Sequence, residues 1–365
     1  MKKIVFLVAA LLGTLVLAMP AEASASGKVT VLTPTAHQVG KALVVSGKVR
    51  GAARSVRIQQ RKSGRWAVVR VAKVTKGSYH ASLAQSAAVT QVRATAAGAV
   101  SKPVTVAATP TADACGALIK KADGTYWTCT FDDEFNGTTL DRSVWAPQTE
   151  FAMGTQAAHD CAIDDPSTVN VSGGSLNLSL RKVSTPVSCS FGGLTGATSY
   201  VSGGVSSYHT FSQEYGRFEA RIKNTATTFP GLQETFWLWP DDRVKQTTIW
   251  PFAGEMDVSE TYSSYPTLSI PFLHYNAAGP LPGVNTAWTC TAPRGQWNTY
   301  AEEWSPTTVQ IFVNGKSCLT NTSRSVAFNK PYIVAFSQGL GAAGDVYDGR
   351  APLGTMSVDY VKAWK

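Results

Sequence analysis

The chain has 365 residues, 33 Lys and Arg against 24 Asp and Glu, and six cysteines; that length suggests two domains with ample surface to bury their cores. The net charge of +9 is unevenly spread. Residues 27–107 carry fourteen basic and no acidic residues, whereas residues 108–365 carry seventeen basic and twenty-three acidic, a net of −6. The first part therefore cannot hold a carboxylate-based active site, and the asymmetry points to a different partner for each part.

Lys2 and Lys3 precede an apolar run, Ile4 to Ala18, and Pro20-Ala21-Glu22-Ala23 forms a small-residue exit. These are the parts of an export signal, residues 1–23, with cleavage expected after Ala23 or, second, after Ala25. The run is short for a membrane anchor, and no later segment is long and apolar enough to span a bilayer, so no membrane association is expected after cleavage. The protein is expected to be secreted, extracellular or cell-wall associated. Export permits disulfides. Six cysteines allow fifteen pairings, and the sequence does not choose among them. We expect the sequential set, Cys115 with Cys129, Cys161 with Cys189, and Cys290 with Cys318. No two cysteines are spaced as zinc ligands are.

Residues 24–107 read as a small all-β module. LVVSGKV, VRIQQR, WAVVRVA and VTQVRATA alternate apolar and polar residues, and Gly40, Gly51, Ser63-Gly64 and Lys76-Gly77 separate them. About seven short strands in this length suggest an immunoglobulin-like sandwich. Its basic surface has two readings: adhesion to an anionic polymer, such as wall teichoic acid or acidic polysaccharide, or a spacer kept soluble by charge. Export argues against nucleic acid as the partner. Residues 108–114, ATPTADA, are small and polar, as linkers are.

Residues 115–365 also read as strands: SLNLSLRKV, GRFEARIK, ETFWLWP, TVQIFVNGK, YIVAFSQGL and MSVDYVKAW. Asn314-Gly315 marks a hairpin, since this pair suits the turn that strand twist prefers. A domain of this size without long amphipathic helices suggests a large β-sandwich or jelly roll.

Within it lies WPFAGEMDVSE, residues 250–260. Glu255, Asp257 and Glu260 crowd a segment otherwise apolar or small, where like charges raise one another's pKa. On a strand Glu255 and Asp257 share a face, while Glu260, five positions on, points away. One extra residue near Val258–Ser259, a β-bulge, returns it. The glutamates are then ~13 Å apart along the backbone, and their side chains leaning together could close to the ~5 Å carboxyl gap of a retaining glycosidase. Alone, three acids in six residues also describe a solvated strand face.

GEMDVSE resembles the E-x-D-x-x-E signature of glycoside hydrolase family 16, in its laminarinase-like branch with a bulged strand. FDDEFNGTTLDRSVW (131–145) resembles that family's opening segment, and YGRFEARIK (215–223) the strand lying across its cleft. YAEEWSPTTVQIFVNGK (300–316) is similar to its following hairpin, and VDYVKAWK (358–365) to its closing strand. The resemblance implies an all-β, concanavalin A-like jelly roll of two curved antiparallel sheets, the cleft along the concave face. It implies that Glu255 is the nucleophile, Glu260 the acid/base, and Asp257 the group tuning the nucleophile. It implies no cofactor for catalysis. Glu134, Asp359 and a carbonyl near Gly174 match positions that hold a structural calcium in the family.

Sugars offer apolar C–H faces and polar rims, so Trp237, Trp250 and Trp288 are platform candidates. His274 resembles the family histidine beside the carboxylates; Tyr275 and Asn276 are expected at the same end. Gln338 falls where the family's late cleft strand runs. Gln233 stands where a sugar-stacking Trp is common, and Glu234, also a departure, is expected to face solvent. The expected activity is endo-acting, retaining hydrolysis of β-1,3 bonds of a β-glucan. The same carboxylates also serve hydrolases of agar- or carrageenan-like galactans and transglycosylases. The other class is an inactive lectin or adhesin on the same fold.

Overall fold

Period-two patterning becomes strands almost throughout. In Gly216–Lys223 every second residue is buried, and Phe218, Ala220 and Ile222 all point into the core. A computed structural model describes residues 28–39, 42–84, 90–106, 112–243, 249–342 and 344–365. The export signal at 1–23 and residues 108–111 of the expected linker lie outside these. Among the described residues, the one helical turn is the 3-10 segment Val326–Phe328, and no helix is long and apolar enough to cross a membrane.

The chain divides into two units between Thr111 and Ala112. The first is a sandwich of two small antiparallel sheets. One holds Thr30–Val31, Ala42–Arg50, Thr35–Val39 and Ser78–Ala84; the other holds Arg65–Lys73, Ser55–Lys62, Thr90–Ala96, Ala99–Val100 and Val104–Val106. Leu43, Val45 and Tyr79 from the first meet Val56, Ile58 and Val92 from the second in one core.

The second unit begins at Ala112, earlier than the expected residue 115. Ala112–Asp113 pairs with Gly116–Ala117, and the Asp113 carboxylate accepts from the backbone N–H groups of Cys115 and Cys129, both at 3.0 Å. These bonds take the end of the expected linker into the fold. The three disulfides are sequential: Cys115–Cys129, Cys161–Cys189 and Cys290–Cys318.

This unit is a jelly-roll sandwich. The back sheet runs Val169–Ser172, Ser175–Ser179, Thr355–Trp364, Gly216–Lys223, Trp297–Ser305, Thr308–Val313 and Lys316–Asn321, with Cys129–Asp133 also on Thr355–Trp364. The cleft sheet runs Ala146–Pro147, Gly204–Ser206, Tyr332–Leu340, Leu232–Pro240, Glu255–Tyr262 and Phe272–His274. YGRFEARIK was expected across the cleft, but its strand lies in the back sheet, because Phe218, Ala220 and Ile222 are needed to fill the space between the sheets. Phe236, Leu238, Met256, Val258, Val334 and Phe336 face them from the cleft sheet. Residues of opposite parity on those central strands face the cleft.

Candidate active site

The acidic strand Glu255–Tyr262 sits between Leu232–Pro240 and Phe272–His274. Its pairing with the former changes register: Trp237 lies opposite Asp257, but Phe236 lies opposite Ser259. Val258 is the additional residue, and its side chain is wholly buried in the core. The bulge is where the motif spacing requires it. Beyond it, Glu260 pairs with Thr235 and turns to the same side as Glu255 and Asp257. All three carboxylates line one cavity of about 290 Å³ together with Gln233, Thr235 and Trp237.

Each carboxylate has its own support. Glu255 Oε2 accepts from Trp250 Nε1 at 2.7 Å. Asp257 Oδ2 lies 3.3 Å from His274 Nε2, and the imidazole is positioned by pairing of His274 with Glu255 across the strands. Glu260 Oε1 accepts two hydrogen bonds, from Gln233 Nε2 and from the Tyr262 hydroxyl, both at 2.8 Å. This leaves Oε2 of Glu260 as the oxygen free to carry a proton.

Burial raises all three acids, with repulsion adding to it. Glu255 is pushed up to about 8, first by desolvation and then by the charge of Asp257, while His274 and the Trp250 bond oppose the rise. Asp257 is driven well above the usual range by burial, then by Glu260 and Glu302. Glu260 is raised by burial, and Tyr262, His274 and Gln233 pull it back. Such a set titrates as a unit rather than as three independent acids. Its upward shifts keep protons on the set near neutral pH, and a protonated carboxyl is what departure of a sugar with acid assistance needs.

Aromatic rings extend to both sides. Trp237, Trp239 and Trp250 line a cavity of about 850 Å³ with Phe151, Phe191, Tyr208 and Glu255. Trp237 donates to Ser337 Oγ at 3.1 Å and stacks on Phe151 with centroids 5.8 Å apart. Trp250 is 52% exposed, so its ring is available to a ligand. On the Glu260 side, Trp288 meets Tyr265 edge to face at 5.1 Å, and both line a cavity of about 210 Å³ with Glu260, Tyr262 and Phe272.

Other expected residues are placed elsewhere. Gln338 is buried opposite Glu234, on the core side of its strand, because its neighbour Ser337 takes the cleft side. Glu234 does not face solvent. It is wholly buried, ion-paired with Arg294, and accepts from Thr225 N–H at 2.9 Å. Tyr275 packs against Phe328 and accepts from Asn321 at 3.2 Å, away from the cleft. Asn276 closes a turn by accepting from Ala278 N–H. The proposed calcium ligands are committed to other cations: Glu134 to Lys362 at 2.5 Å and Asp359 to Arg221 at 2.6 Å. Gly174 lies in the turn joining Val169–Ser172 to Ser175–Ser179. These residues do not fit a calcium site, since the ion would have to displace an ammonium and a guanidinium. Donor atoms of Glu255, Asp257 and His274 lie within 4.8 Å of one another. The other two clusters of potential ligands depend on sulfurs already joined in disulfides.

Trp239 and Tyr262 escaped the sequence reading although a signal was present: each follows a named cleft residue, Trp237 or Glu260, by two positions. Phe151, Phe191, Tyr208 and Tyr265 reach the cleft from loops or hairpin ends, where no periodicity marks them.

Comparison with known proteins agrees with this arrangement. The family model described as glycosyl hydrolases family 16 matches residues 156–362. The glucan endo-1,3-beta-glucosidase A1 of Niallia circulans is 25% identical over 264 residues, 64% of this chain and 37% of that protein. The keratan-sulfate endo-1,4-beta-galactosidase of Sphingobacterium multivorum is 26% identical over 174 residues, 46% of this chain and 40% of that protein. The chain spans between 37% and 52% of the length of the first curated relatives it matches. The endo-beta-1,3-glucanase structure from Pyrococcus furiosus aligns with a TM-score of 0.57 at 19% identity, covering 70% of this chain and 98% of that one. The matched residues make up more than half of the sequence and include the whole bulged acidic strand with both its neighbours: the chain belongs to glycosyl hydrolases family 16.

Proposed function

We propose that the second unit is an endo-acting, retaining β-glucan hydrolase that cleaves β-1,3 bonds, and that the protein is exported. The observation that carries this reading is the bulge at Val258, which places Glu255 and Glu260 on one wall of one cavity. In the first step Glu255 attacks the anomeric carbon while Glu260 gives its proton to the departing glycosidic oxygen. In the second, Glu260 takes a proton from water, whose oxygen displaces Glu255 from the sugar. Asp257 and His274 hold the charge balance around Glu255.

Aromatic-lined space on both sides of the carboxylates suits binding in mid-chain, hence endo cleavage. The Niallia circulans relative, a glucan endo-1,3-beta-glucosidase, supports a β-1,3-glucan as substrate; three disulfides suit an oxidising compartment. Reducing-sugar release from laminarin tests the reading, with the anomer formed first followed by NMR. The β-anomer is expected, and Glu255→Gln should reduce the rate by three or more orders of magnitude. Equal release by wild type and variant would refute it. Activity confined to a galactan, or transfer of sugar to sugar in place of water, would assign the same carboxylates to another substrate or acceptor.

A further inference from the structure

The first unit presents a face that catalysis leaves unused. Its sheet of Arg65–Lys73, Ser55–Lys62 and Thr90–Ala96 buries Val56, Ile58, Val92 and Ala94 on one side. Strand alternation turns Arg57, Gln59 and Arg61 to the other. Cross-strand pairing then sets Val71 beside Arg57, Val68 and Arg93 beside Gln59, and Trp66 beside Arg61. Lys73, opposite Ser55, adds a cation at the far end. From Ser55 to Arg61 the face runs roughly 20 Å at the usual strand rise.

Two of its guanidinium groups are fixed in place. Arg93 lies 4.2 Å over the Trp66 ring and donates from Nε to Gln59 Oε1 at 2.7 Å. Arg61 donates from Nη1 to Gln91 Oε1 at 3.0 Å. Residues 27–107 contain no Asp or Glu, so none of these cations has a counter-ion within the module. Between them stand two exposed apolar side chains, Val68 at 49% and Val71 at 58%.

We propose that this face docks an acidic polysaccharide whose charges are uronic carboxylates. Guanidinium forks match carboxylates in two-point geometry, and their fixed placement lowers the entropy lost on binding. The valines and the Trp66 edge suit the C–H surfaces of sugar rings lying between the charges. A flexible phosphate polymer without rings would leave that apolar surface uncovered. The face therefore tethers the chain to an acidic matrix, whatever glycan the second unit cleaves.

The test is affinity electrophoresis of the full chain through gels containing polygalacturonate, polyphosphate or double-stranded DNA. Polygalacturonate should retard the wild type at low salt, and high salt should abolish the effect. Arg57→Gln/Arg61→Gln/Arg93→Gln should bind about tenfold more weakly or worse, from three pairs of modest strength. Lys48→Gln/Arg50→Gln/Lys76→Gln, with the same charge change away from this face, should bind nearly as wild type. Laminarin hydrolysis should be unchanged in both. If the arginine triple variant misfolds, Arg57→Gln/Lys73→Gln replaces it, with a severalfold loss expected; no loss overturns the proposal. So do an absence of retardation, equal weakening by the two triple variants, or retardation by polyphosphate or DNA equal to that by polygalacturonate.

Discussion

Replacing Glu302 should make the second unit more stable, and increasingly so as pH rises. Glu302 sits in the middle of Trp297–Ser305, on the face that sends Tyr300 and Trp304 into the core. It is wholly buried, and neither carboxylate oxygen has a hydrogen-bond partner. Burial pushes its carboxyl from 4.5 up to about 8. An unfolded chain gives up this proton near the ordinary value, whereas the folded chain keeps it until about pH 8. Over that interval the folded state binds more protons than the unfolded one, so stability falls as pH rises. The contribution is nil below the unfolded value and amounts to about 3 kcal/mol of lost stability at pH 7, at 1.36 kcal/mol per pH unit. Glu302→Leu removes the titration and fills the space with an apolar group. Its stability gain over wild type should therefore grow by about 3 kcal/mol between pH 4.5 and pH 7. Glu302→Gln should lose the same pH dependence but gain less, since it keeps a buried polar group. Urea unfolding with disulfides intact, followed by tryptophan fluorescence, reads this unit well because nine of the ten tryptophans lie beyond residue 112. Asp160, Glu255, Asp257 and Glu260 also titrate high in the folded state. Glu302 acts on Asp257 only when it is ionised, and below pH 7 the folded chain keeps it protonated, so the difference between variants reports chiefly on Glu302. A gain that is the same at pH 4.5 and pH 7 would refute the reasoning.

Three further outcomes are expected. Tyr262→Phe and Gln233→Leu each remove a donor to the Glu260 carboxylate, a bond worth about 1.5–3 kcal/mol to a charged acceptor. Glu260 should then hold its proton to higher pH, moving the basic limb of kcat/KM upward; a limb that stays in place refutes this role. Arg294→Met strands the buried Glu234 carboxylate and should cost about 3–5 kcal/mol in urea unfolding, most of it recovered by adding Glu234→Gln; a single-variant loss below 1 kcal/mol would mean the pair is dispensable. Cys161→Ser/Cys189→Ser frees the Arg181–Phe191 strand, whose Phe191 lines the cleft, and should cost about 3 kcal/mol of stability. It should raise KM for polymeric glucan severalfold while sparing short aryl glycosides, and equal effects on both would exclude a role of that wall in chain binding.

What the sequence disclosed was whatever local geometry dictates. Alternation identified strands such as Gly216–Lys223, and an odd spacing between Glu255 and Glu260 required an inserted residue, found at Val258. The same parity argument would have placed Glu234 and Gln338 correctly, since Glu234 precedes Phe236 by two positions and Gln338 follows Phe336 by two. Both share the core face of those phenylalanines. Likeness to a family position outweighed that rule for Gln338, and the usual exposure of a charged side chain outweighed it for Glu234. Nothing local could have paired Glu234 with Arg294, sixty residues away, or brought Phe191 against Phe151 and Phe151 against Trp237. Those contacts exist only once both sheets and the hairpin between Arg181 and Ser202 are in place.

Gln233 shows how one departure changes the chemistry of the cleft. A tryptophan at this position would offer a sugar a broad apolar face but could give Glu260 no amide. The glutamine instead joins Tyr262 in holding one oxygen of Glu260, so the acid is oriented from two sides before substrate arrives. Donors aimed at a carboxylate stabilise its ionised form, which favours the second step of the proposed mechanism, in which Glu260 acts as a base. Burial of the same group favours the protonated form needed for the first step. Two opposing influences on one side chain let it alternate between roles, whereas either alone would fix it in one. Apolar surface absent at Gln233 is present nearby in Trp239, Trp250 and Phe191, which line the cavity on the Glu255 side; under the proposed function, sugar stacking is expected there.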